Sequence, residues 1–243
     1  MLTLLRKEVA SFLNSLIGYI VIAVFLIAIS LFMWVFPGNY NVIESGYANI
    51  DTLFIIAPWV FMFLAPAVTM RSFSEEQRTG TFELLATKPL TDWQIILAKY
   101  GAGFSLILFS LIPTLVYYYT VYIYGSEPGN IDSGATWGSY IGLLFLGGTF
   151  VAIGVFASSL SPNQIVSFII AVFLSFFVYV GFEQIANFEL FGSLDSLILS
   201  LGINEHYISI SRGVIDTRDV LYFMSVIAVF LLFTKFKLQS RNR

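Results

Sequence analysis

Six apolar runs free of charged side chains recur along the chain, at 15–36, 53–70, 100–124, 137–160, 164–182 and 220–234, each bounded by short polar stretches. A helix rises about 1.5 Å per residue and needs about 20 residues to cross the hydrocarbon of a bilayer. The first five runs meet that length, and the sixth is expected to begin before Val220. The pattern predicts an all-α, polytopic membrane protein with six transmembrane helices. Arg6 and Lys7 precede the first run as they would in a secretory signal. The run is too long for one and no small-residue cleavage site follows it, so it is expected to stay as the first span.

Three stretches are not spans. In residues 1–14, Leu2, Leu5, Val9, Phe12 and Leu13 share one helical stripe with Arg6, Lys7 and Glu8 off it. That suits a helix lying in the membrane interface, or an ordinary flank of the first span. The stretch 71–94 is the most charged of the chain. Ser72 with Glu75 fits a capping box, Gly80 interrupts or ends a turn, Pro89 breaks the chain, and Thr91 with Gln94 offers a second box that opens the third span. In 183–219, Leu190, Phe191, Leu194, Leu197, Ile198 and Leu201 recur at helical spacing with Ser193, Asp195, Ser196 and Ser200 between them. A helix lying on the outer leaflet or dipping into it fits that pattern.

Charge gives the runs a direction. With the amino terminus inside, the inner side holds ten basic residues, Arg6, Lys7, Arg71, Arg78, Lys88, Lys99, Lys235, Lys237, Arg241 and Arg243, against Arg212 and Arg218 outside. Short loops rich in Lys and Arg resist translocation, so both termini are expected in the cytoplasm. Composition agrees, with 58% hydrophobic and 11% charged residues and a mean hydropathy of +0.84. No run of polar sequence is long enough for a soluble domain, so residues 1–243 read as a single transmembrane domain. The chain has no cysteine, hence no disulfide framework and no thiolate chemistry.

The chemistry-bearing motifs are missing. No G-x-x-x-x-G-K-[ST] phosphate loop, H-E-x-x-H metal helix or G-x-S-x-G elbow occurs. His206, the one histidine, reads as a loop or interfacial residue. The six runs carry no ionisable Asp, Glu, His, Lys or Arg, which counts against an ion-coupled carrier. Gly138 and Gly142 form G-x-x-x-G in the fourth run, a face for close packing on another helix in this chain or across a subunit boundary. Pro113 is expected to kink the third span, and Tyr117, Tyr118, Tyr119, Tyr122 and Tyr124 at its outer end read as an interfacial belt.

Glu76, Gly80, Thr81, Glu83, Leu84, Leu85 and Pro89, followed by Lys99, resemble the E-x-x-x-G-T-x-E-x-L-L-x-x-x-P run of ABC-2 type transporter permeases. A second stretch, EHYISISRGVIDTRDVLYF at 205–223, resembles the segment such permeases carry before their last span, with Gly213, Val214, Ile215, Asp216, Asp219 and Tyr222 at matching places. Within that family the wording is most similar to the gliding-motility-associated, GldF-like permeases.

The resemblance implies a type V exporter-like membrane domain with no catalytic, cofactor or metal site of its own. ATP and Mg would sit on separate ABC ATPase subunits, GldA-like, and a second permease, GldG-like or a second copy, would complete the gate in the lipid. Nucleic acid is not an expected partner. A helix over about 73–85 would be the coupling helix. There Glu75, Glu76, Arg78 and Glu83 would meet the ATPase, and Phe73, Phe82, Leu84 and Leu85 would anchor the helix on the ATPase groove or on the membrane domain. The combined spacing of Gly80, Thr81, Glu83 and Pro89 is what raises the coupling reading above the topology of an ordinary basic inner loop. The competing readings are a non-transporting structural or assembly component and, further off, an ion-coupled secondary carrier.

Overall fold

The structure, a computed structural model, describes residues 1–81, 90–125, 127–189, 192 and 195–241, the last by its backbone alone. Among the described residues ten helices follow in order: α1 (Leu2–Leu13), α2 (Leu16–Ser30, extended by a π turn Leu31–Val35), α3 (Asp51–Thr69), α4 (Ser74–Thr79), α5 (Asp92–Leu111, continued through a 3-10 turn Ile112–Thr114 into Leu115–Tyr124), α6 (Ser133–Leu160), α7 (Gln164–Phe176, a π turn Phe177–Gly181, then Phe182–Asn187), α8 (Asp195–Leu199), α9 (Ile203–Ser211) and α10 (Thr217–Arg241). Among the described residues there is no strand. Helices α2, α3, α5, α6, α7 and α10 are long and apolar enough to cross a membrane, so the protein is a multi-pass membrane protein of six spans.

Polar caps set where several spans begin. The Ser15 hydroxyl accepts from the Gly18 amide at 3.4 Å, the Asp132 carboxylate from Ala135 at 2.9 Å, and the Asn163 side chain from Ile165 at 2.9 Å. Each satisfies an amide that a helix start leaves without a partner. Thr91 and Gln94 form the expected reciprocal box, at 3.4 and 3.1 Å. The third span therefore starts at Asp92, ahead of its apolar run. Pro113 falls in the 3-10 turn that splits α5.

Helix α6 is the centre of the bundle, packed by α3, α5, α7, α9 and α10. Between helices in lipid there is no hydrophobic drive, and small residues supply close contact instead. A Cβ at Gly147 would stand 2.6 Å from Ile107 of α5, and one at Gly148 would stand 2.9 Å from the Tyr100 hydroxyl. Gly154 lies against Thr69 of α3 so closely that any side chain there would collide.

The alternation of the spans gives the bundle two ends. One gathers α1, α4, the start of α5 and the end of α10, where Lys235 lies 5.3 Å over the Trp93 ring and Gln239 reaches Asp92. We call it the basic end. The acidic end carries the 36–50 loop, α8 and α9. Helix α1 packs along α5 with Leu4 buried and Leu2 exposed. Of the tyrosines at the acidic end of α5, Tyr117 bonds the Ser30 hydroxyl at 2.6 Å and Tyr118 bonds Ser133 at 2.9 Å, while Tyr119, Tyr122 and Tyr124 are exposed. Between α2, α3 and α7 runs a wholly apolar groove of about 620 Å³, lined in part by Val24, Phe32, Trp59, Phe63 and Phe168.

The stretch between the fifth and sixth spans is shorter than 183–219, because α7 continues to Asn187 and α10 starts at Thr217. Leu190, Phe191, Ser193 and Leu194 lie outside the described residues. Helix α8 buries no residue, whereas α9 docks on α6 with Ile203, Tyr207 and Ile210 buried.

Candidate functional site

Helix α4 follows α3 after a turn of four residues, 70–73, at the basic end. Glu75 and Glu76 stand in its first turn and Arg78 in its last, both favourable to the helix dipole. It ends at Gly80, whose φ of 70° is the left-handed conformation that suits glycine. Of the helix expected over about 73–85, α4 spans Ser74–Thr79 and is broken at Gly80, and residues 82–85 lie outside the described residues.

The expected Ser72–Glu75 capping box is also corrected, since α4 has no side-chain cap. The Ser72 carbonyl instead accepts from the Lys99 ammonium at 2.6 Å. Lys99 is 2% exposed and bonds the Glu76 carboxylate at 2.7 Å. It lies 3.5 Å from Glu8 of α1 and 5.1 Å from the centre of the buried Phe73 ring. A buried ammonium is costly unless it is paired and hydrogen-bonded, and here two carboxylates and a carbonyl meet it. One cation therefore ties α1, α4 and α5.

The opposite flank of α4 is fastened to α6 and α7. The last four carbonyls of a helix lack helical partners. Two of those of α6 receive donors from α4: the Ser74 hydroxyl bonds the Ser158 carbonyl at 3.0 Å, and the Gln77 amide bonds the Ser159 carbonyl at 3.1 Å. Ser74 also meets the Ser167 hydroxyl of α7 at 2.7 Å.

The site residues read from sequence are therefore placed as follows. Phe73 is fully buried at the foot of α4, on the membrane-domain side. Glu75 is part-exposed and 3.4 Å from Arg71. Glu76 turns inward to Lys99, which corrects the expectation that its carboxylate faces outward. Arg78, Gly80 and Thr81 are exposed, with the Thr81 hydroxyl 2.9 Å from that of Thr79. Phe82, Glu83, Leu84, Leu85, Lys88 and Pro89 lie outside the described residues. Ser74, Gln77, Ser158, Ser159 and Ser167 escaped the sequence reading, as hydroxyls and amides at span ends carry no pattern until the ends meet, and Glu8 reads from sequence only as a polar position off the apolar stripe of α1.

At the acidic end, Gly138 and Gly142 receive α9. A Cβ at Gly138 would lie 2.8 Å from the Ile210 carbonyl, and one at Gly142 would lie 3.3 Å from the Tyr207 ring. Gly213, at φ 86°, stands against the backbone of Ala135. The Asp216 carboxylate accepts from the Arg218 amide at 2.9 Å, at the start of α10. Asp219 is buried and meets Nδ1 of His206 at 2.7 Å.

His206 thus sits on a helix, in a knot with Asp219, which corrects its reading as a loop residue. Its ring stacks on Tyr222 at 3.8 Å, and Nε2 donates to the Ser200 carbonyl at 2.9 Å. Among the described residues no three His, Asp or Glu side chains lie close enough together to hold a metal ion.

The two ends of α6 thus carry short helices of different construction, and the one at the basic end keeps a charged outer edge at Glu75 and Arg78. No curated protein matches the chain. A family model described as ABC-2 family transporter protein matches residues 38–201.

Proposed function

This chain belongs to the ABC-2 family of transporter proteins, which form the membrane component of ABC transporters, and on that premise we propose that α4 is its coupling helix, on which a separate ATPase acts to drive export or extraction of a substrate. The observation that carries this reading is the fastening of α4. Five hydrogen bonds or ion pairs from Ser72, Ser74, Glu76 and Gln77 reach α5, α6 and α7. Helix α3 enters α4 directly. A push on α4 is therefore delivered to four spans at once, as packed helices shift between discrete arrangements and do not deform continuously.

The outer edge of α4 has the chemistry to receive such a push. Glu75, Arg78 and Thr81 offer one negative group, one positive group and a hydroxyl, which suits charge-assisted hydrogen bonds with a protein surface. ATP and Mg would be held by the ATPase. The basic end is then the cytoplasmic end, supported by the ten basic residues assigned to it, and the membrane is the bacterial inner membrane. Within the family, the wording of the 76–99 and 205–223 stretches favours a GldF-like permease of the gliding-motility machinery, with GldA-like ATPase subunits and a GldG-like second permease or a second copy.

The test is isolation of the permease from its native membrane in mild detergent. An ABC ATPase is expected to co-isolate, and Gly80→Pro, which cannot adopt φ 70°, is expected to abolish coupled ATP hydrolysis with insertion intact. A complex without an ATPase defeats the proposal.

A further inference from the structure

Pro58 stands inside α3. It has no N–H to offer the carbonyl four residues back, so the Phe54 carbonyl loses its helical partner. Unpaired carbonyls in a membrane interior are costly and are re-satisfied by neighbouring helices. Here the partner comes from 153 residues away: the Tyr207 hydroxyl of α9 donates to the Phe54 carbonyl at 2.7 Å. Burial holds that hydroxyl well above the ordinary phenol range, with Tyr179 nearby adding to the effect, so it stays a neutral donor.

The ring of Tyr207 is wedged where Gly142 leaves room on α6. On the other side of Pro58, α3 is pinned to α6 by the Thr69–Gly154 contact and runs on to α4. A proline gap is where a helix bends most easily. One hydroxyl takes up the carbonyl freed on the near side of that gap, and it belongs to the helix at the acidic end.

We propose that Tyr207 is the latch of a hinge at Pro58, a positioning residue whose hydroxyl makes α9 and residues 51–57 of α3 one body that moves together when α4 is driven. The proposal rests on the proposed function for its driving force and on the Tyr207–Phe54 bond for its geometry. It makes Pro58 a hinge, and it carries motion from the basic end to α9.

Two measurements on the full chain decide it. In the first, heat unfolding of the purified permease compares Tyr207→Phe in two backgrounds. In the natural background the midpoint is expected to fall by about 2 to 4 °C for the orphaned carbonyl. In Pro58→Ala, residue 58 regains an amide that can serve Phe54, and the same substitution is expected to cost less than about 1 °C. Equal losses in both backgrounds overturn the latch.

In the second, the absence of native cysteine allows spin labels at Ile55 and Ile208, both exposed. In the complex with its ATPase, their separation is expected to stay the same with and without ATP, and to broaden or shift with ATP in Tyr207→Phe. A separation that moves with ATP in the unmodified chain, or stays fixed in Tyr207→Phe, overturns the joint motion. A control pair at Phe63 and Ile208 reports motion across the hinge. If ATP moves no pair, the driven motion falls together with the proposed function of α4, while the unfolding cycle still decides the latch.

Discussion

Helices α4 and α9 are both short, both lie between two spans and both stand at an end of α6, yet the balance of what holds them differs. Helix α4 is bound by a buried charge and by side-chain donors that reach the free carbonyls of α6. Helix α9 is bound chiefly by shape, through Gly138 and Gly142 against Ile210 and Tyr207 and through Gly213 against Ala135, with the Tyr207–Phe54, Ser139–Ser211 and Asn204–Glu183 hydrogen bonds and the His206–Asp219 pair added. The first construction fixes an element firmly while leaving its charged edge free. The second fixes an element by close approach, which fails as soon as a side chain intrudes.

The sharpest way to break the comparison is Lys99→Met, which removes the cation and leaves Glu76 and Glu8 facing each other in a mostly buried site. A loss of about 3–5 kcal/mol is expected in the unfolding free energy of the purified permease. A loss under about 1 kcal/mol would show that the charge does not fasten α4. Gly138→Val should cost about 1–3 kcal/mol, because the new methyl groups meet the Ile210 carbonyl. Its mark is site-selective: proteolysis should rise in the chain around α9 and stay unchanged around α4.

Ser74→Ala should cost about 1–2 kcal/mol, as the Ser158 carbonyl and Ser167 hydroxyl lose a partner. Hydrogen exchange should rise in α4 while α9 keeps its protection. Smallest of all in stability is Arg78→Glu, within about 0.5 kcal/mol at an exposed position. It is nonetheless expected to reduce retention of the ATPase at least several-fold in co-isolation, since it reverses charge on the edge that would meet it.

What was legible in the sequence follows the same division. The six spans were visible because membrane hydrocarbon excludes charge over about 20 residues, and that exclusion is written residue by residue. Thr91 with Gln94 and the stop at Gly80 were visible because caps and left-handed turns are local. Ser72 with Glu75 looked equally local, but the helix takes Phe73 as its N-cap, which leaves Ser72 one residue too early to cap it. Glu76 read as an outward charge because its partner, Lys99, is remote in sequence. Tyr207 gave no sign of its role, since the carbonyl it serves is freed by a proline in another span.

The central claim is that α4 at the basic end, and not α9 at the acidic end, is where an ATPase acts. Photo-crosslinking tests it most directly, with a single cysteine carrying the probe at Arg78 or at Val214, which is 70% exposed just before α10. Arg78 is expected to yield an adduct with the ATPase and Val214 none. No adduct from Arg78, or an equal one from Val214, would contradict it.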